Sequence, residues 1–364
     1  MPQEPLPICP TSGILGESQG IAIKNTLLKL LTKHYRRYRG DMANPKRILI
    51  ASTTGLGDTL WATPAIRALK KAHPNSKLCL LTSPIGEQVL KNNPYIDHIL
   101  IMKNASLIQA PKIVYKIRQF APEQIYIFHT SQRIALPLCA MNRAKSIIGT
   151  QGLNKGLDTL LTQSFPLVQQ HEISRRMQMT GLSGDETLDW HISSDEAQWA
   201  QEFMKQFTAP IIALHPGSKD RFKQWPVEHF IKLGEKCVKQ LGAQVVVTGN
   251  ALEKPLADQI AASIDGALSL AGQLNIRQLG ALLPHFKRFI TNDTGPMHMA
   301  FATKVPTIAL FSPTDPNLCG PHHAKSSVAI AKNKTCFPCL RKKCHDPFCM
   351  RSIGIDEVFC NISQ

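Results

Sequence analysis

Short apolar runs separated by stretches of helical periodicity occupy most of this chain. From Lys46, KRILIAST has the unbroken apolar character of a buried strand. The turn TGLGD and a long helical stretch, TLWATPAIRALKKAH, follow it. Further runs stand at KLCLLTS, HILIMK, QIYIFH and KSIIGT. Strands alternating with helices predict a parallel sheet covered by helices on both faces. Residues 151–195 interrupt the rhythm, and there HEISRRMQMTGLSG is expected to be a helix and linker. The alternation then restarts with PIIALHPGS, QVVVTGN, ALSLAG, RFITND, VPTIALFSP and SVAIAK, with helices expected from about Pro226, Leu252, Ile276 and Pro296. The predicted class is α/β, with two doubly wound, Rossmann-like domains and a ligand cleft between them. The expected division is an extension over 1–41, a first domain over 42–190 and a second over 191–364.

In the extension, IAIKNTLLKLLTKHYRRYR places Ile23, Leu27, Leu28, Leu30 and Leu31 near one helix face, with cations elsewhere and at the end. Such a helix suits an anionic membrane surface. It equally suits packing on the protein body with its cations at a favourable C-terminus. Residues 1–20 carry Pro and Gly and are expected to be poorly ordered, and Met42 offers a second start for the fold proper.

Composition narrows the partner. With 364 residues, two domains of ordinary size are expected. A net charge of +16 implies an anionic partner: nucleic acid, anionic lipid or a phosphorylated substrate. Only 6% of residues are aromatic, which argues against single-strand nucleic-acid binding by stacking. No apolar stretch approaches the ~20 residues of a membrane span, and MPQEPLPICPTSG lacks the order of a secretory signal, so a cytosolic location is expected. The ten cysteines are then expected to be mostly reduced.

Ligands in open parallel sheets sit beyond the carboxyl ends of the strands, so those ends supply the candidate chemistry. After the first strand, Gly55 and Gly57 give a tight, open turn and Asp58 stands where the helix starts, either as its N-cap or as a general base. The stretch is neither a complete GxGxxG nor a P-loop. In HPGSKDRFKQWP, Ser218 and Lys223 can donate to a pyrophosphate, although Lys219, Arg221 and Lys223 also fit a solvated loop. In TGNALE, Gly249 allows close approach, and Glu253 either accepts from ribose hydroxyls or favours a helix's first turn. Leu274, after the third strand, can lie against a base. In RFITNDTGPMH, Asn292 and Asp293 cap a helix, or the whole turn forms an anion site. For the second reading, Thr294 adds a donor, Gly295 lets backbone approach, Pro296 takes the first helical position and His298 faces the ligand one turn on. In the tail CFPCLRKKCHDPFCM, Cys336, Cys339, Cys344 and Cys349 suit a structural zinc site, or are reduced or paired structural cysteines. Arg341, Lys342 and Lys343, with protonated His322 and His323, add charge suited to a phosphorylated acceptor.

Taken together, GLGDTLWATPAIRALKKAHP, HPGS with KQWP, TGN with Glu253, and NDTGPMHMA with PTIALFSPTDP resemble glycosyltransferase family nine, the heptosyltransferases of lipopolysaccharide core assembly. The resemblance runs from residue 46 to about 360. It departs from the family at the extension before residue 42 and at Pro296-Met297. It implies a GT-B fold with an acceptor-side first domain and a donor-binding second domain. It also implies an ADP-heptose donor and metal-independent inversion. By it, Asp58 is the base on the acceptor hydroxyl, and Ser218 and Lys223 hold the donor phosphates, Lys223 offsetting charge on the leaving ADP. Glu253 binds ribose and Leu274 the adenine surroundings, while Asp293, Thr294, Gly295 and His298 surround the pyrophosphate and sugar. The expectation is a monomer without a cofactor at the inner face of the cytoplasmic membrane, with an anionic lipid-linked acceptor and no nucleic-acid partner. The rivals are a transferase for another nucleotide sugar and a noncatalytic basic nucleic-acid- or lipid-binding protein on the same fold.

Overall fold

In the computed structural model of the chain the apolar runs form two separate six-stranded sheets. The structure describes residues 19–32, 44–103, 108–129, 134–333, 336, 339, 343–344 and 346–363. The cations from Lys33 to Arg39, Met42, Arg341 and Lys342, on which part of the expected charge rests, lie outside the described residues, as does all but the end of the segment 1–20.

The chain divides into two units. One comprises residues up to Glu87 and Pro94–Asp185, and the other Gln88–Asn93 and Glu186–Gln364. The first unit holds β1 (Arg47–Ser52), β2 (Lys77–Thr82), β3 (His98–Ile101), β4 (Gln124–His129), β5 (Ser146–Thr150) and β6 (Gln163–Phe165). The second holds β7 (Ile211–His215), β8 (Gln244–Val247), β9 (Leu268–Ser269), β10 (Arg288–Asn292), β11 (Thr307–Phe311) and β12 (Val328–Ala331). Their orders are β3-β2-β1-β4-β5-β6 and β12-β11-β10-β7-β8-β9, which is one topology built twice. Every pairing is parallel. Each sheet therefore reverses direction once, between β1 and β4 in the first and between β7 and β10 in the second. The crevice beyond the carboxyl ends at such a reversal is where doubly wound folds bind ligands.

Parallel strands are covered on both faces, so the central ones lack polar alternation. Ile48, Leu49, Ile50 and Ala51 of β1 and Ile211 to Leu214 of β7 are all buried. One core gathers Leu49, Leu81, Ile125, Ile127 and Ile147; the other gathers Ile212, Leu214, Val245, Ile290 and Leu310 beneath Trp225 and Phe230.

Three local readings change. The long helix expected after TGLGD is two, Leu56–Leu60 and Thr63–Ala72, because Pro64 in the first turn of the second removes an N–H and clashes with the preceding turn. β6 was not expected from the sequence. The segment HEISRRMQMTGLSG holds the expected helix, Glu172–Thr180, which packs on Thr63–Ala72 within the first unit, and the boundary between the units follows the segment at Asp185. The helix after β10 starts at Gly295, which puts Pro296 second in it.

Among the described residues the extension forms the helix Gln19–Thr32; the rest of the expected stretch, to Arg39, lies outside them. Leu28 packs on the first unit's core and the Asn25 side chain donates to the Lys155 carbonyl at 3.0 Å, while Leu27, Leu30 and Leu31 are exposed. The apolar face is thus split between body and solvent. Among the described residues, no helix is long and apolar enough to cross a membrane.

In the second unit Arg277 ties the helix Ile276–Leu282 to Ser194–Met204. Its guanidinium donates to both carboxylate oxygens of Glu196 at 2.9 and 2.6 Å and lies 4.5 Å from the Trp190 ring. The Arg277 hydrogen bonds, with burial opposing, lower the Glu196 pKa to about 2. A carboxylate held down in this way stabilises the fold above its unfolded value near 4.5 and loses that contribution as pH falls toward about 2. Glu196→Gln should therefore be less stable than the parent at neutral pH, with the gap narrowing as the pH of urea unfolding falls from 4.5 to 2. A gap that does not change with pH would show that the pair has no such role.

Candidate functional site

The first unit presents Asp58 just beyond β1, at its reversal point. Asp58 is the third residue of Leu56–Leu60; the N-cap is Gly55, and no side chain caps the helix. The N-cap role is therefore not realised, although the position still favours a carboxylate near the helix dipole. Gly55 has an ordinary extended backbone (φ −78°), so it is not needed for conformational freedom. A Cβ there would approach the Asp58 Oδ2 to 3.9 Å, so the glycine leaves the space beside the carboxylate open.

Behind Asp58 stands a charge cluster not recognised from the sequence. The helix Glu172–Thr180 is started by His171, whose side chain accepts from the Ile173 N–H, and ended by left-handed Gly181. The spacing of Glu172, Arg175 and Arg176 turns all three the same way. Arg176 is fully buried. Its Nη1 donates to the Glu172 carboxylate at 2.6 Å, its Nη2 lies 3.7 Å from the Asp58 Oδ1, and its guanidinium lies 5.2 Å from the Trp61 ring. Among the described residues, Nε and Nη2 have no hydrogen-bond acceptor. Arg175 Nη2 donates to the same Glu172 carboxylate at 2.6 Å, and its Nη1 to the Thr150 hydroxyl at 2.9 Å. Burial alone would raise Glu172, but the guanidiniums of Arg176 and Arg175 outweigh it and hold its pKa at about 2. Burial lowers Arg176, against the opposing charge of Glu172. The signal in the sequence was the E-x-x-R-R spacing, one carboxylate three and four residues before two arginines on one helix.

In the second unit the loops after β7, β8 and β10 form one polar group. Asp293 follows β10 and is almost fully buried. Its Oδ2 accepts from Lys223 Nζ at 2.6 Å and from the Thr314 hydroxyl at 2.6 Å. Of the three cations in the loop after β7, Lys219 and Arg221 are exposed, as a solvated run would be, while Lys223 turns inward to this pair. Asn292 is a strut: its amide donates to the Pro216 carbonyl at 2.7 Å and accepts from the Trp225 N–H at 3.0 Å. Neither Asn292 nor Asp293 caps the following helix. Its N-cap is Thr294, which makes no side-chain capping bond, so the first turn of Gly295–Ala302 has N–H groups that no side chain caps.

Glu253 lies directly against Gly217, where a Cβ would come within 2.1 Å of its carboxylate oxygen, so a larger residue there would push that carboxylate aside. The carboxylate accepts from the Asn250 N–H at 2.9 Å. Although Glu253 is the N-cap of Lys254–Ala262, its side chain does not cap that helix. Gly249 does permit close approach, with a Cβ there only 3.2 Å from that of Glu253 and 3.3 Å from that of Ala271. Ser218 is buried beside Gly217, and its carbonyl accepts from the Gln224 amide at 2.9 Å. His215, just before this loop, shares a 3.0 Å hydrogen bond with Thr248, and burial lowers its pKa against the field of Glu253. Leu274 is half-buried in the turn before Ile276–Leu282. His298 is buried, its ring 6.0 Å from that of Phe301. The structure thus joins Lys223, Asp293 and Thr314 directly, and Glu253 to the backbone beside Ser218.

In the tail, Cys336 and Cys344 are half-buried and Cys349 is buried. His322 Nε2 lies 2.5 Å from the Glu186 carboxylate.

Comparison with known proteins gives a family match. The model of glycosyltransferase family 9 (heptosyltransferase) matches residues 159–348. Lipopolysaccharide heptosyltransferase 2 of Escherichia coli K12 is 23% identical over 304 residues, 78% of this chain and 87% of that one. Lipooligosaccharide heptosyltransferase 2 of Haemophilus influenzae is 32% identical over 145 residues, 37% and 42% of the two chains. Among solved structures, the family 9 glycosyl transferase of Veillonella parvula has a TM-score of 0.77 at 21% identity, covering 87% of this chain and 96% of that one. The ADP-heptose lps heptosyltransferase II of E. coli has a TM-score of 0.72 at 19% identity, covering 87% and 97%. At these identities the structural likeness shows the GT-B fold.

The Glu172 cluster yields a stability test. Glu172→Gln leaves the buried Arg176 without its hydrogen-bonded counter-charge and with only Asp58, 3.7 Å away, which should cost about 3 kcal/mol in urea unfolding. A cost within about 0.5 kcal/mol, typical of surface changes, would contradict the burial argument.

Proposed function

Because this chain belongs to glycosyltransferase family 9, the heptosyltransferase family, and is a glycosyltransferase, we propose that it transfers a heptose from ADP-heptose to a lipopolysaccharide core precursor. The acceptor would be lipid A-Kdo or a heptosylated form of it. The observation that carries this reading is the division of charge. The first unit offers a carboxylate with open space beside it, and the second offers an ammonium and a helix start without a side-chain cap.

In this reading the acceptor hydroxyl attacks the anomeric carbon while its proton passes to the Asp58 carboxylate. The bond from that carbon to the diphosphate oxygen breaks, and its electron pair leaves with ADP, inverting the centre. Arg176, held in place by Glu172, orients Asp58 from behind. Lys223 has three donors; one is on Asp293, which leaves the others for the leaving diphosphate. The first turn of Gly295–Ala302 adds N–H groups and a favourable dipole. These groups offset the departing charge, so the mechanism asks for no metal. Ser218 completes the phosphate contacts, Glu253 binds ribose, Leu274 flanks the adenine, and Thr294, Gly295 and His298 border the sugar.

We place the enzyme in the cytoplasm as a monomer at the inner face of the membrane, where a lipid-linked acceptor would be presented. The exposed Leu27, Leu30 and Leu31, with Lys24 and Lys29 on the same helix, support a peripheral contact with anionic lipid. The Cys-rich tail lies outside the reaction, and its four thiols have the donor chemistry of a structural zinc site.

Transfer to heptose-deficient lipopolysaccharide, followed by mass spectrometry, tests the proposal. Asp58→Asn should retain ADP affinity and lose roughly 100- to 10,000-fold in turnover, the range for a general base. Near-normal turnover would remove Asp58 from that role. Lys223→Met should lose turnover by roughly 100-fold or more and weaken ADP binding as well. Unchanged donor affinity would place the leaving-group site elsewhere.

A further inference from the structure

The loop that follows β11 makes a cluster that the transfer reaction does not use. It passes Thr314, forms the short helix Pro316–Cys319, and reaches His322 and His323 through Gly320 and Pro321. The two imidazole rings lie 4.4 Å apart, nearly perpendicular. Glu186, at the start of the segment leading to Ser194–Met204, places its carboxylate against His322. One ligand atom from each of Glu186, His322 and His323 lies within 4.8 Å of the other two. His322 and Glu186 are each about one-fifth exposed, 23% and 22%, and His323 is exposed, so an ion can enter from solvent.

We propose that Glu186, His322 and His323 form a binding site for a divalent transition-metal cation such as Zn2+, Ni2+ or Co2+. Two imidazole nitrogens and one carboxylate oxygen are a borderline donor set, suited to these ions and poorly suited to Mg2+ or Ca2+, which prefer oxygen throughout. Three protein ligands leave a fourth tetrahedral position for water. Without metal, His322 Nε2 and the Glu186 carboxylate are hydrogen-bonded to each other; the ion takes the place of that hydrogen bond and is ligated by the same two atoms. No redox change or bond cleavage is involved. The bound ion ties the loop after β11 to the segment that begins at Glu186. That loop also carries Thr314, whose hydroxyl donates to the carboxylate that holds Lys223. The metal is therefore a clip on the loop supporting Lys223. This consequence for the donor site rests on the function proposed above; the metal site itself does not.

The full-length chain, treated with chelator and dialysed, would be titrated with CoCl2 and followed by absorption. The thiols of the tail are a rival site with a distinct signature, since cobalt bound by cysteine shows intense thiolate charge-transfer bands and cobalt bound by nitrogen and oxygen does not. The expected result is a visible cobalt spectrum free of thiolate bands. Glu186→Gln or His322→Asn should weaken it by more than the ~10- to 100-fold typical of outer-shell changes. His323→Asn leaves the His322–Glu186 hydrogen bond in place and provides a variant less dependent on folding; it should weaken the same spectrum. Metal-free unfolding midpoints near that of the parent would confirm that the variants are folded. A spectrum dominated by thiolate bands in the parent, or wild-type affinity in His323→Asn, would overturn the proposal.

Discussion

Parallel pairing places every strand's carboxyl end at the same edge of its sheet, and in this chain it does so twice. A parallel strand can be followed by its neighbour only through a crossover that returns to the opposite edge, usually a helix. The polar groups that the aliphatic sheet interior excludes therefore collect where strands give way to helices. Asp58 follows β1, Lys223 follows β7, Glu253 follows β8, Asp293 follows β10 and Thr314 follows β11. Asp58, Lys223 and Asp293 all follow strands flanking the reversal of direction in their sheet. The chemistry of each unit is thus positioned by its topology before any side chain is considered.

Burial then decides how these charges are held. Arg176 and Asp293 lie in surroundings where an isolated charge would cost several kcal/mol, and each is neutralised by a close partner: Glu172 for the first and Lys223 for the second. Such pairs add little net stability, but they fix geometry. Glu172 holds Arg176 behind Asp58, and Thr314 joins Lys223 in holding the Asp293 carboxylate. Asn292 does the same with neutral groups, locking the loop after β7 to the end of β10.

Much of the fold was legible because the buried strands are long apolar runs. Among the described residues, eleven of the twelve strands coincide with runs visible in the sequence; the exception there, Gln163–Phe165, has three residues and exposes two of them. The placement of candidate residues at strand ends was legible for the same topological reason. What the residues do there was less so. Asp58, Asn292 and Asp293 all had ordinary capping roles open to them, and the structure gives those positions to Gly55 and Thr294. The Glu172 cluster was hidden because it sits on a helix rather than after a strand, in a stretch whose polarity suggested a linker. The first helix misled differently. Polar Asn25 and Thr32 are buried by specific hydrogen bonds while three leucines face out, and periodicity cannot report which face a neighbouring element will cover. The nucleotide preference is harder still, because base recognition depends on pocket shape rather than on residue type alone.

Thermal unfolding of the purified chain with ADP, UDP, GDP and ADP-heptose in turn tests the central claim, that the second unit holds an ADP-linked sugar. A ligand at about 100 times its dissociation constant adds roughly 2.7 kcal/mol of stability, enough for a clear rise in the unfolding midpoint. The account predicts that rise with ADP and ADP-heptose and little change with UDP or GDP at the same concentrations. Equal or greater stabilisation by UDP or GDP would contradict the donor assignment, and no response to any of the four would contradict nucleotide-sugar binding altogether.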